Sequence, residues 1–271
     1  MAPDPRPIAF FDSGVGGLPY LEAARPLLLG ERFAYLADRG GFPYGTKTRE
    51  QVRARVLEVV EAIRRRFDPK VLVIACNTAS QAALEAVRKA NPGLPVIGTV
   101  PAVKPAALRT RSGTIGVMAT ARAVEDPYLD ELVARHAPGV RVLREAAQDL
   151  VSFVELRYPG STEAERLAAV EGHARRLVEL GADEIVLACT HFLHVAADIA
   201  RAAGAGVEVV DSRDGVARRL ASILAERALG APEGSPGGGL FALTGPGPFE
   251  PGYAVFAARF GLEGPVALDL G

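Results

Sequence analysis

Two cysteines are the residues in this chain best placed to do chemistry. Cys76 and Cys189 follow short apolar runs, VLVIA and EIVLA, and precede residues bearing amide, hydroxyl or imidazole groups, Asn77-Thr78 and Thr190-His191. The spacing predicts each cysteine at the end of a strand where a helix begins. A free thiol titrates near pH ~8.5. Unpaired N–H groups at a helix N-terminus favour the thiolate, and a modest push makes the sulfur a usable base or nucleophile at neutral pH. Neighbours supply further tuning: Asp12, in Asp12-Ser13-Gly14-Val15-Gly16-Gly17, can exchange a proton with one thiol, and His191 with the other. The competing reading is packing, since a buried cysteine also serves as a small inert hydrophobe.

Other chemistries fit the sequence less well. The turn at Asp12–Gly17 has glycines at 14, 16 and 17, which matches neither the Walker pattern nor GxGxxG. It reads as a tight turn that lets the following helix start close to the sheet. Cys189, His191 and His194 are zinc ligands by type, but the other histidines stand at 136 and 173 and no zinc-hydrolase carboxylate pattern accompanies them. His194 therefore reads as solvated or otherwise satisfied. The four lysines, Lys47, Lys70, Lys89 and Lys104, do not end a strand as a Schiff-base site would. The expectation is chemistry without metal or cofactor.

These side chains need a scaffold, and the pattern specifies one. Short β-rich apolar runs alternate with longer helical patterns, the signature of βα units and a parallel sheet, so the fold class is α/β. Strands are predicted at Ile8–Phe11, Phe33–Ala37, Val71–Ala75, Pro95–Gly98, Thr114–Met118, Val140–Leu143, Glu184–Ala188 and Val207–Val210, with two later ones near Leu240–Leu243 and Val266–Leu268. Thr48 with Gln51 and Thr162 with Glu165 form capping boxes. Val52, Val56, Val59, Ile63 and Phe67 follow the first at helical spacing, and Leu167, Val170, Ala174 and Leu177 follow the second. Ala231–Gly239, APEGSPGGG, reads as a flexible surface connection. VLVIACNT (Val71–Thr78) and EIVLACTH (Glu184–His191) echo one another, and more weakly so do FFDSGVGG (Phe10–Gly17) and VVDSRDG (Val209–Gly215). Two similar half-chains explain the echo economically, and ligands bind at the carboxyl ends of parallel strands.

Composition narrows the partners. With 271 residues, 49% hydrophobic and 23% charged, the chain has the balance of a globular protein and needs neither disulfides nor a structural metal. Thirty-one Lys+Arg against thirty-two Asp+Glu leave a net charge of -1, which gives no hold on nucleic acid or an anionic membrane. No apolar run reaches the ~18 residues of a membrane span, and MAPDPRP lacks the regions of a signal peptide. A cytoplasmic protein acting on a small molecule is expected.

FDSGVGG (Phe11–Gly17), PYG (Pro43–Gly45), CNTAS (Cys76–Ser80), GVMAT (Gly116–Thr120), Glu155 closing LVSFVE, ACTHF (Ala188–Phe192) and Asp211-Ser212 resemble, in order and spacing, the motifs of the glutamate racemase family. The resemblance runs from Ile8 to near the C-terminus. It implies two similar parallel-sheet α/β lobes with the active site in the cleft between them. One lobe would comprise residues 1–99 plus 213–271, the other 100–212. It implies that Cys76 and Cys189 are catalytic bases, assisted by Asp12 and His191, with Glu155 on the His191 side. Ser13, Pro43, Tyr44, Gly45, Asn77, Thr78, Thr120 and Thr190 would line the substrate pocket.

The implied activity is cofactor-independent interconversion of L- and D-glutamate for peptidoglycan, with no nucleic-acid or membrane partner and a homodimer left open. The chain departs from the family pattern at Pro19, Ala123, Asp126, Ala147-Gln148, His194 and Arg213. Ala123 and Asp126 keep another substrate such as aspartate open, because they alter one expected contact and add a negative charge. A non-catalytic glutamate-binding protein is the rival from another class, although binding alone needs no pair of thiols.

Overall fold

Strands and helices alternate along residues 3–271, which the computed structural model describes. The strands are β1 (Ile8–Asp12), β2 (Arg32–Ala37), β3 (Val71–Ile74), β4 (Val96–Gly98), β5 (Thr114–Ala119), β6 (Arg141–Ala146), β7 (Glu184–Leu187), β8 (Glu208–Val210), β9 (Gly238–Thr244) and β10 (Glu263–Leu268). The α-helices are α1 (Leu18–Ala24), α2 (Arg49–Phe67), α3 (Asn77–Ala90), α4 (Val103–Arg109), α5 (Ala121–Glu125), α6 (Pro127–His136), α7 (Gln148–Leu156), α8 (Glu163–Glu179), α9 (Ala196–Ala203), α10 (Arg213–Glu226) and α11 (Pro251–Arg259). The chain divides into two compact units, Met1–Thr99 with Arg213–Gly271, and Val100–Ser212.

The first unit holds a parallel six-stranded sheet in the order β10-β9-β2-β1-β3-β4. Its central strands are apolar throughout because helices cover both faces. Helix α2 starts at the capping box, with Thr48 accepting from the Gln51 backbone and Gln51 reaching back to the Thr48 N–H. It buries Val52, Val56, Val59 and Ile63 against Phe11, Leu72 and Ile74, each side chain contributing roughly 1.5–3 kcal/mol. From β1 the chain moves outward to β2, then crosses to β3 on the other side. The crevice at the carboxyl ends of β1 and β3 is thus a topological switch point, where α/β sheets bind ligands.

The second unit repeats this plan. Its parallel sheet runs β6-β5-β7-β8, so β5 leads to β6 on one side and the chain crosses to β7 on the other. Strand β7 therefore occupies the place that β3 has in the first unit. Cys76 follows β3 and Cys189 follows β7, which makes VLVIACNT and EIVLACTH topological equivalents. The weaker echo has no such basis: β1 is central, whereas β8 is an edge strand whose counterpart is β4. FFDSGVGG and VVDSRDG share only an Asp-Ser pair at a strand's carboxyl end, since Gly215 lies inside α10.

Three local expectations need correction. The strand predicted at Val140–Leu143 runs on to Ala146, through the charged Arg144 and Glu145. An edge strand tolerates charges, and these two pair with Asp130 and Arg176. Cys189 is followed by a 3-10 turn, Thr190–Val195, and the α-helix begins only at Ala196. The tighter winding eclipses positions three apart, and Phe192 and Val195 are both fully buried. The stretch Ala231–Gly239 is not a free connection: the Ala231 N–H donates to Glu31 Oε1 at 2.8 Å, and Gly238 and Gly239 pair with Arg32 and Phe33 as the start of β9.

Candidate active site

In the first unit, the thiol, a hydroxyl and a carboxylate line up at the β1/β3 switch point. Cys76 is only 4% exposed and stands in extended conformation immediately before α3. Its Sγ lies 3.8 Å from Ser13 Oγ, and the Ser13 hydroxyl donates to Asp12 Oδ1 at 3.0 Å. The same Asp12 oxygen accepts the Gly14 N–H at 3.0 Å, which fixes the turn. Ser13 thus joins the thiol to the Asp12 carboxylate. The turn is possible because Gly17 lacks a side chain: a Cβ there would come within 2.7 Å of Ala75 Cβ and 2.8 Å of its carbonyl oxygen.

The PYG turn packs over α3. Tyr44 is buried edge-on against Phe11, ring centroids 6.4 Å apart, and donates its hydroxyl hydrogen to Asp38 Oδ2 at 2.6 Å. Burial, the adjacent Asp38 carboxylate and the nearby Cys76 hold the Tyr44 hydroxyl well above its usual pKa, so it stays a neutral donor. Asp38 is fully buried at the end of β2, gripped by Arg55 through Nε at 2.8 Å and Nη2 at 2.6 Å, with Thr244 also donating to it. Sequence reasoning missed Asp38 and Arg55. The available signal was a lone carboxylate at a strand's carboxyl end five residues before PYG.

Two amide oxygens on α3, Asn77 Oδ1 and Gln81 Oε1, are buried without a hydrogen-bond partner. An unmet buried acceptor costs roughly 1–3 kcal/mol, and a ligand donor would remove that cost. Asn77 was expected at the site; Gln81 was not. Thr78 is buried beside them, Gly45 is buried, and Pro43 is half-buried.

In the second unit, Cys189 is 6% exposed, and Thr190, His191 and Glu155 are buried with it. His191 Nε2 lies 2.9 Å from Glu155 Oε2, and the His191 side chain also hydrogen-bonds Cys189. Glu155 reaches His191 because α7 packs on the 190–195 turn. Burial disfavours the imidazolium, but the bonds to Cys189 and Glu155 and their negative charge outweigh it, raising His191 well above 6.5. Protonated His191 therefore stabilises the native state, fully below 6.5 and decreasingly as pH rises through the native value. His191→Asn should lower the unfolding free energy most at mildly acidic pH, with the difference narrowing toward alkaline pH. Urea melts of both proteins across that range check this, and a gap that widens with pH would contradict it.

Thr120 follows β5 at the second switch point, where its hydroxyl accepts the Ala123 N–H at 3.2 Å and caps α5. The atypical Asp126 adds no open charge. Its side chain is 3% exposed, accepts the Tyr128 N–H at 3.0 Å and pairs with Arg122 at 2.7 Å. The His194 ring lies 5.5 Å from that of Tyr158. Among the described residues no group of three or more His, Cys, Asp or Glu is arranged to hold a metal ion.

Comparison with known proteins places this architecture. Residues 22–220 match the family model described as Asp/Glu/Hydantoin racemase. A glutamate racemase from Sphingopyxis alaskensis is 46% identical over 224 residues, 82% of this chain and 83% of that one. Another from Roseiflexus sp. is 40% identical over 225 residues, 83% and 81%. The crystal structure of Escherichia coli glutamate racemase, in complex with L-glutamate and the activator UDP-MurNAc-ala, superposes with a TM-score of 0.86 at 33% identity. It covers 97% of this chain and 98% of that one. The chain belongs to the Asp/Glu/hydantoin racemase family, and within it to the glutamate racemases.

Proposed function

We propose that this enzyme interconverts L- and D-glutamate by a two-base mechanism without a cofactor, with Cys76 and Cys189 as the proton carriers. The observation that carries the reading is the repeated placement of a thiol at a switch point with its own proton-handling partners: Ser13 and Asp12 for Cys76, His191 and Glu155 for Cys189. One thiolate removes the α-proton, and the other thiol delivers a proton to the opposite face of the same carbon. The thiols then carry exchanged protonation states, so the reverse reaction uses the same groups in opposite roles.

An α-proton is far less acidic than a thiol, so the site must stabilise a carbanion-like transition state with preorganised donors and little water. Neutral groups suit that task here: the hydroxyls of Thr78, Thr120 and Thr190, and the backbone around Pro43 and Gly45, would hold the carboxylates, while Ser13 and Tyr44, whose hydroxyl hydrogens go to Asp12 and Asp38, would line the pocket. The unpartnered Asn77 oxygen suits the substrate's ammonium. Glutamate is favoured over aspartate because Asp126 is spent on capping α6 and on Arg122. D-glutamate is a building block of peptidoglycan, and the family relationship supports a cytoplasmic role in supplying it. Among the described residues no helix is long and apolar enough to cross a membrane.

Incubating the purified protein with L-glutamate should bring the optical rotation to zero, while L-aspartate under the same conditions keeps its rotation. A rotation of glutamate that does not decay would overturn the reading.

A further inference from the structure

We infer that His173, on α8, is a positioning residue for the Glu155–His191 pair, acting through helix α7. The inference rests on the proposed role of that pair beside Cys189. Helix α7 begins without a side-chain cap, because Ala147 stands at the N-cap position. The first-turn N–H groups of a helix have no partner within it, so an uncapped start is easily displaced. The first turn carries one acidic residue, Asp149, and His173 Nε2 sits 3.1 Å from both its carboxylate oxygens. His173 Nδ1 is 2.5 Å from Glu145 Oε1 on β6. The ring thus bridges the single residue, Ala147, that joins β6 to α7.

The other end of α7 bears Glu155. Six residues separate Asp149 from Glu155, a rise of ~9 Å along a stiff helix, so a shift of the first turn is carried to the carboxylate that holds His191. A displacement of about 1 Å at a reacting group can cost on the order of 10²-fold in rate. Facing the ring are Glu145 from β6, Asp149 from α7 and Arg176 from α8 itself, whose Nη2 is 2.9 Å from Nδ1 and whose guanidinium also pairs with Glu145. The charged residues of α9 that meet α8, Asp198 and Arg201, pair with Arg166 and Glu163. Through these contacts the ring ties the end of β6 to the first turn of α7, and so to the setting of Glu155.

Asp149 is the place to test this, because its side chain is 71% exposed and its loss does not open the core. Asp149→Ala should lower kcat for glutamate roughly 3- to 30-fold with KM nearly unchanged. His173→Gln should do the same, and the double variant should be no worse than either single one, because both break one bridge. Unchanged kcat, or losses that multiply in the double variant, would overturn the inference. The ring resonances of His191, followed by NMR in histidine-labelled protein, give a readout independent of turnover. They should move in Asp149→Ala, and if they do not, His173 has no positioning role even where glutamate racemisation itself is confirmed. If wild type fails to racemise glutamate while the His191 signals do move, the functional reading falls and the bridge stands.

Discussion

Cys76→Ala and Cys189→Ala should each reduce racemisation by roughly 10²- to 10⁴-fold, the span that general acid–base catalysis contributes, while the protein stays folded. The fold should survive because each change removes one buried sulfur. Exchanging it for hydrogen costs about 1–2 kcal/mol, within the ordinary range for single substitutions. The rate should not survive. In Cys189→Ala the chain of Cys76, Ser13 and Asp12 is intact and can still exchange a proton on its own face. In the proposed mechanism nothing then delivers a proton to the opposite face, and His191 loses its hydrogen bond to the sulfur. Circular dichroism together with polarimetric assays separates the two effects. Either variant keeping more than a tenth of the activity with a normal spectrum would mean that its thiol is packing, the bland reading of a buried cysteine.

What the sequence made legible was mostly local. Both capping boxes formed where Thr48/Gln51 and Thr162/Glu165 stand, because their geometry depends only on residues three apart. All the strands expected from apolar runs are present, with ends that shift by a few residues. The end of β6 was hidden because Arg144 and Glu145 owe their place in a strand to Asp130 and Arg176, partners 14 and 31 residues away. The same distance effect hid Asp38. Its importance comes from Arg55, 17 residues on, and Thr244, 206 residues on, and no short window contains all three.

The two echoes show where pattern and topology part. VLVIACNT and EIVLACTH match in sequence and also in sheet position, each on the strand reached by crossing the switch point. FFDSGVGG and VVDSRDG match only because Asp-Ser suits the turn that leaves a strand, and Gly215 of the second is already inside α10. The proposed site chemistry follows the first pattern. Even there the two thiols differ in their support: a hydroxyl and a carboxylate beside Cys76, an imidazole and a carboxylate beside Cys189. The first set puts a neutral hydroxyl against the sulfur, whereas the second places a readily protonated ring there.

In heavy water, the first D-glutamate formed from L-glutamate should carry deuterium at the α-carbon almost completely, while the remaining L-glutamate stays largely protonated. The expectation follows from a thiol holding one hydrogen. In the proposed mechanism the base that takes the substrate's α-hydrogen works on one face, and the hydrogen delivered to the other face comes from a different sulfur that has equilibrated with solvent. Substrate hydrogen therefore has no direct route into the product. A single base serving both faces would behave otherwise, returning part of the hydrogen it removed before solvent replaced it. Mass spectrometry of both enantiomers at a few per cent conversion distinguishes the cases. Early D-glutamate that retains a substantial share of substrate hydrogen would exclude two separate proton carriers, even in a protein that racemises glutamate, and Cys76 and Cys189 would then need different roles.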